Sequence, residues 1–135
     1  EIGSGLVGSE MCIRDRGGVR GIEKLVADNP DMTAVFVTNY EMTMGAVIGM
    51  NELNLKIPEQ LSMIGFDNLQ FARACNPKLT IVAQPTPGIA REVAGIMLKR
   101  LEEAESEETE PITEKLGAEI IMGKSVRVLK EKENS

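Results

Sequence analysis

Leu61-Ser62-Met63-Ile64-Gly65-Phe66-Asp67-Asn68 is a compact apolar run that ends in a carboxylate. It is too short for a helix and is flanked by polar residues, so it reads as a buried β-strand. Gly65 allows another backbone or side chain to approach closely, or supplies a bend. Asp67 and Asn68 then stand where the strand leaves its sheet. In open α/β sheets that carboxyl edge is where ligands bind. The expectation is that Asp67 faces such a site and that neighbouring segments supply its partners.

Working outward, apolar β-branched runs recur on both sides. Ala34-Val35-Phe36-Val37 reads as a strand ending at Thr38-Asn39, and Thr80-Ile81-Val82-Ala83 as one ending at Gln84-Pro85. Helical spacing fills the gaps. Val19, Ile22, Leu25 and Val26 mark a helix stopped by Asp28-Asn29-Pro30. Glu41 to Leu55 is apolar most of the way round, so that helix needs more than one packing partner. Leu69 to Cys75 is a short helix or turn broken at Asn76-Pro77. Thr86 and Pro87 suit a helix start, and Ile89, Val93, Ile96 and Met97 continue one stripe to about Leu101. Lys115–Met122 and the alternating Ser125–Leu129 are expected as two further short strands. Alternation of this kind predicts the α/β class with a mostly parallel sheet.

Composition narrows the function. The chain has 135 residues, 42% hydrophobic and 27% charged, which fits one soluble globular domain. Its net charge of −6 leaves no basic face for phosphates, so this segment is not expected to bind DNA itself. No run approaches the ~18 apolar residues of a membrane span. Cys12 and Cys75 lack metal-ligand spacing and point to a reducing compartment. Histidine is absent, no second carboxylate accompanies Asp67 at a strand end, and no phosphate-binding glycine loop follows a strand. No catalytic residue, metal or cofactor is therefore assigned. Glu102–Glu110, with six carboxylates, reads as a solvated loop. Residues 1–16 show no period and are expected to be atypical, either a flexible N-terminal segment or translated adapter sequence ahead of a truncated gene. The charged tail 130–135 is expected to fray.

Three expected parallel strands thus end in Asn39, Asp67 and Gln84. A carboxylate accepts several hydrogen bonds, while a carboxamide both donates and accepts. Together they suit a ligand rich in hydroxyl groups or a nucleobase. Each residue alone is more readily a turn former, and only the coincidence at three strand ends puts the ligand reading level with it.

The residues now carry a specific resemblance. Val37-Thr-Asn-Tyr-Glu-Met-Thr-Met-Gly-Ala46, Ile57-Pro-Glu-Gln-Leu-Ser-Met-Ile-Gly-Phe-Asp-Asn68 and Asn76-Pro-Lys-Leu-Thr-Ile-Val-Ala-Gln-Pro85 resemble, in order and spacing, the C-terminal signature of LacI/GalR-type transcriptional regulators. The resemblance covers about Gly17 to Leu129, roughly the last third of such a regulator. It implies a three-layer α/β architecture with helices on both faces, the C-terminal subdomain of a periplasmic-binding-protein-like core, over residues 17–129. It further implies a cytoplasmic, non-enzymatic regulator, in which a sugar or related small metabolite binds between two lobes. Operator DNA would be read by an N-terminal domain not present here, and the core would form a homodimer. Asn39, Asp67 and Gln84 match positions lining the effector cleft. Met44, Ile48, Phe71, Ala74 and Cys75 match dimer-interface positions, with core packing equally open for Met44 and Ile48. One departure matters: Tyr40 stands where the family usually has Asp, which changes the cleft's polarity or offers a stacking face. An extracytoplasmic sugar-binding protein of a transport system, which shares the core fold, is the alternative.

Overall fold

A computed structural model describes residues 14–102 and 111–128. Its elements run α1 (Arg14–Asp28), β1 (Ala34–Phe36), α2 (Tyr40–Glu52), β2 (Ser62–Phe66), α3 (Leu69–Ala74), β3 (Thr80–Ala83), α4 (Thr86–Glu102) and β4 (Glu119–Ile121). The four strands lie in the order β1-β2-β3-β4. The first three are parallel, paired Ala34 with Ser62 and Ile64 with Thr80, and β4 runs antiparallel to β3 with Ile81 opposite Ile121. This is the expected α/β class with a mostly parallel sheet. Helix α1 begins at Arg14, inside the stretch expected to be atypical. Residues 1–13 with Cys12, the acidic run from Glu103 onward and the tail from Leu129 lie outside the described residues.

The core is one cluster beneath α1, α2 and α3, centred on Met50, Met63 and Ile81, each at most 1% exposed. Burial of each such side chain contributes about 1.5–3 kcal/mol. The all-round apolar character of α2 is explained by two partners. One side meets α1 so closely that a Cβ at Gly49 would lie 2.5 Å from Ile22 Cγ2, and one at Gly18 would lie 2.6 Å from the Met42 carbonyl oxygen. The other side meets β2, where Thr43 packs on Gly65. Gly65 is thus the point of close approach that the opening strand required.

The opposite pleat of the sheet is more open. Phe36 is 53% exposed and Ile120 61%, because strand alternation points them away from the core. Helix α4 buries none of its residues: Val93 and Met97, from its expected stripe, remain 50% and 59% exposed.

The strand expected over Ser125–Leu129 is corrected by the structure. Among the described residues, 125–128 are irregular, and the apolar Val126 and Val128 face outward while Ser125 is fully buried. Alternation alone could not foresee this, because a hydroxyl satisfied on two sides can be buried where a methyl cannot. Ser125 Oγ donates to the Met63 carbonyl at 2.5 Å and accepts from Thr80 N–H at 2.8 Å. Met63 N–H donates in turn to the Ser125 carbonyl at 2.8 Å. Ser125 therefore closes the gap between β2 and β3 where β3 has not yet begun. Arg127 extends the seam, its N–H donating to Ser62 Oγ and its guanidinium to the Glu59 carbonyl.

Candidate functional site

Parallel pairing puts the carboxyl ends of β1, β2 and β3 on one edge of the sheet. Asn39, Asp67 and Gln84 each follow one of these ends.

Asn39 has extended backbone and is the N-cap of α2, with its Oδ1 accepting from Met42 N–H at 2.8 Å. The cap satisfies one of the donors that every helix start leaves over. Its side-chain Nδ2 makes no hydrogen bond among the described residues. One end of this carboxamide is thus spent on structure and the other is available to a ligand.

Asp67 and Asn68 both occupy the left-handed region, with φ of 55° and 48°. Asp and Asn tolerate this better than other side-chain-bearing residues because they hydrogen-bond locally. Here both do so: Asn68 Oδ1 accepts from Phe71 N–H at 2.9 Å and caps α3, while Asp67 reaches across to β3. Asp67 Oδ1 accepts from the Gln84 main-chain N–H at 3.0 Å, and Oδ2 from Gln84 Nε2 at 2.6 Å. Asp67 and Gln84, 17 residues apart, are therefore brought into direct contact.

Thr43 joins these to Asn39. It is fully buried, its Oγ1 donates to the Asn39 carbonyl at 2.6 Å and accepts from Phe66 N–H at 3.3 Å. Through it the end of β1 and the end of β2 are held in fixed relation. Sequence reasoning missed this residue. The available signal was its spacing, four residues after the cap Asn39 and so on the same helical face. Asn68, expected only as a residue at the strand end, is also the N-cap of α3. The cue was an Asn three residues before Phe71, at the opening of a short apolar helix.

Tyr40, the residue after Asn39, is half-buried. Its ring meets Phe71 edge-on, with centroids 5.9 Å apart and planes at 74°, and its hydroxyl lies 4.0 Å from Met44 Sδ. Tyr40 thus touches two residues of the expected dimer surface. On that surface Met44, Phe71 and Cys75 are half-buried, whereas Ala74 is exposed and Ile48 is 41% exposed. Burial pushes the Cys75 thiol pKa up, since an anion is poorly solvated there. Among the described residues no group of His, Cys, Asp or Glu is arranged to hold a metal ion, and no helix is long and apolar enough to cross a membrane. The arrangement is one of fixed hydrogen-bonding groups on a sheet edge, suited to holding a polar solute.

Comparison with known proteins agrees with this fold. The model of the periplasmic binding protein-like domain matches residues 7–126. The HTH-type transcriptional repressor PurR of Klebsiella pneumoniae (strain 342) is 33% identical over 98 residues, covering 70% of this chain and 29% of the repressor. Two solved structures are similar at 28% identity. A transcriptional regulator CelR–cellobiose complex aligns with a TM-score of 0.73, over 82% of this chain and 33% of that one. A LacI family transcriptional regulator from Enterococcus faecalis V583 with bound ribose aligns with a TM-score of 0.72, over 86% of this chain and 42% of that one. The chain thus spans less than a third of the length of the curated repressor it matches.

Proposed function

The chain belongs to the periplasmic binding protein-like domain family, and from that premise we propose that it forms one wall of the effector cleft of a LacI/GalR-type transcriptional regulator. The observation that carries the reading is the convergence of Asn39, Asp67 and Gln84 at the ends of three adjacent parallel strands. The effector is a sugar or related small metabolite, held by the Asp67 carboxylate and the Asn39 amide at the edge that Gln84 also lines. Tyr40, fixed by Phe71, replaces a charged group at the cleft margin with an aromatic edge. The function is binding and not catalysis. The similar proteins named above are transcriptional repressors and regulators, which favours this reading over a transport-system binding protein of the same fold.

A second lobe supplies the opposite wall, because a cleft must enclose a small ligand to desolvate it. The bare apolar stripe of α4, with Met97 59% and Leu101 70% exposed, is the surface that this lobe covers. The face of Met44, Ile48, Phe71, Ala74 and Cys75 packs against a second subunit. Operator DNA is read by a separate N-terminal domain, and the regulator acts in the cytoplasm.

The test is thermal unfolding of the full-length polypeptide carrying this chain, against a panel of sugars and nucleobases. A rise in Tm with at least one compound is expected, by the linkage between binding and stability. A folded protein that no compound stabilises overturns the effector reading.

A further inference from the structure

We propose that the Gln84 carboxamide is an internal placeholder for the effector, occupying the acceptor on Asp67 that a ligand hydroxyl or amino group takes over; this rests on the effector-cleft reading above. The argument begins with the sheet ladder. The Asp67 N–H donates to the Val82 carbonyl at 2.8 Å, which is one rung of parallel pairing between β2 and β3. The next rung of a regular parallel ladder runs from Gln84 N–H to the main-chain carbonyl of Asp67. That rung is not made by the backbone, because Asp67 has turned into the left-handed region at φ 55°. Its carboxylate Oδ1 accepts the Gln84 N–H instead, at 3.0 Å. This bond aims the carboxylate along the sheet edge and fixes which oxygen is left. The remaining oxygen, Oδ2, holds Gln84 Nε2 at 2.6 Å.

The two bonds differ in how easily a solute replaces them. The rung at Oδ1 joins main chain to a side chain whose own backbone is pinned by Val82 on one side and by the Asn68 cap on the other. The bond at Oδ2 joins two side chains, and Gln84 is exposed. An exposed side-chain amide is replaced by another donor at little net cost, since its hydrogen bonds re-form with water. A ligand donor at Oδ2 therefore displaces Nε2, while the rung at Oδ1 keeps the carboxylate in place. Gln84 lies two residues before α4, so its displaced side chain swings at the junction from which α4 departs.

The experiment uses the full-length polypeptide with D-ribose and cellobiose as probes, and Gln84→Leu and Gln84→Glu as variants. Each variant removes the competitor, the second by charge repulsion from Asp67. Both are expected to bind a probe about two- to tenfold more tightly than the parent, the range set by one exposed hydrogen bond. In the parent, the Gln84 side-chain amide resonances shift to solvent-like values on probe addition, while the Gln84 main-chain N–H keeps its protection. In Asp67→Gly, which tolerates the left-handed backbone, that main-chain N–H exchanges about tenfold faster. Weaker probe binding by both Gln84 variants makes Gln84 a direct ligand contact, which overturns the placeholder and leaves the effector reading standing. Unchanged Gln84 N–H exchange in Asp67→Gly overturns the rung. A folded parent and variants that bind neither sugar, nor any compound of the thermal panel, overturn the effector reading and the placeholder with it.

Discussion

Gly65 and Thr43 form the contact on which the geometry of the sheet edge depends, and a double-mutant cycle tests it. A Cβ at Gly65 would lie 2.6 Å from Thr43 Cγ2, with Thr43 Oγ1 and Ile81 Cγ2 next at 3.4 Å. Thr43 cannot easily swing aside. Its χ1 is restricted in a helix, and its hydroxyl is engaged by Asn39 and Phe66. Gly65→Ala is therefore expected to cost about 2 kcal/mol, the usual range for overpacking a filled core. Thr43→Ser keeps the hydroxyl and removes only Cγ2, at about 1 kcal/mol for one buried methyl. With that methyl gone, the nearest remaining neighbours of the new Cβ are at 3.4 Å, which is ordinary contact. The double variant should then be about as stable as Thr43→Ser alone, a coupling of about 2 kcal/mol in favour of the pair. Urea unfolding followed by far-UV circular dichroism measures each term. Additivity within about 0.5 kcal/mol would refute the packing argument.

Other perturbations follow from single contacts. Ser125→Ala strands the buried Thr80 N–H and Met63 carbonyl, and a loss of about 2–4 kcal/mol is expected in the same unfolding assay; a loss below about 0.5 kcal/mol would show that the seam is not held by this hydroxyl. Asn39→Ala removes the cap on Met42 N–H, costing about 1 kcal/mol of stability and, in the full-length polypeptide, weakening the thermal response to effector; an undiminished response would remove Asn39 from the cleft. Val93→Lys on α4, half exposed here, should change the stability of this chain by no more than about 0.5 kcal/mol. The same substitution should lower the Tm of the full-length polypeptide by several degrees, and equal effects in both would deny that another lobe covers α4. Cys75 should be alkylated by iodoacetamide more slowly than a free cysteine at mildly alkaline pH, since burial raises its pKa and lowers its thiolate fraction.

Local signals decided most of the elements. The β-branched runs at Ala34–Phe36 and Thr80–Ala83 and the apolar run at Ser62–Phe66 are short, so each had to be a buried strand, and their alternation with helical spacing fixed parallel connections. From this alone it follows that Asn39, Asp67 and Gln84 share one edge, because strand ends in a parallel sheet have no other place to go. The three quoted blocks carried the family for the same reason, since they are the strand ends and the turns that follow them. What the sequence could not decide is how the polar atoms at that edge are spent. The Asp67 carboxylate could have faced solvent, but the left-handed turn at φ 55° removes its main-chain carbonyl from the ladder, and the side chain takes the rung. Thr43 and Ser125 are ordinary residues in one dimension, yet they are the buried hydroxyls that fix β1 to β2 and β2 to β3. Periodicity reports which side of an element faces the core. It does not report which hydrogen bonds close between segments as far apart as Met63 and Ser125. Tertiary structure alone makes that choice, because a buried donor must find an acceptor wherever the fold brings one.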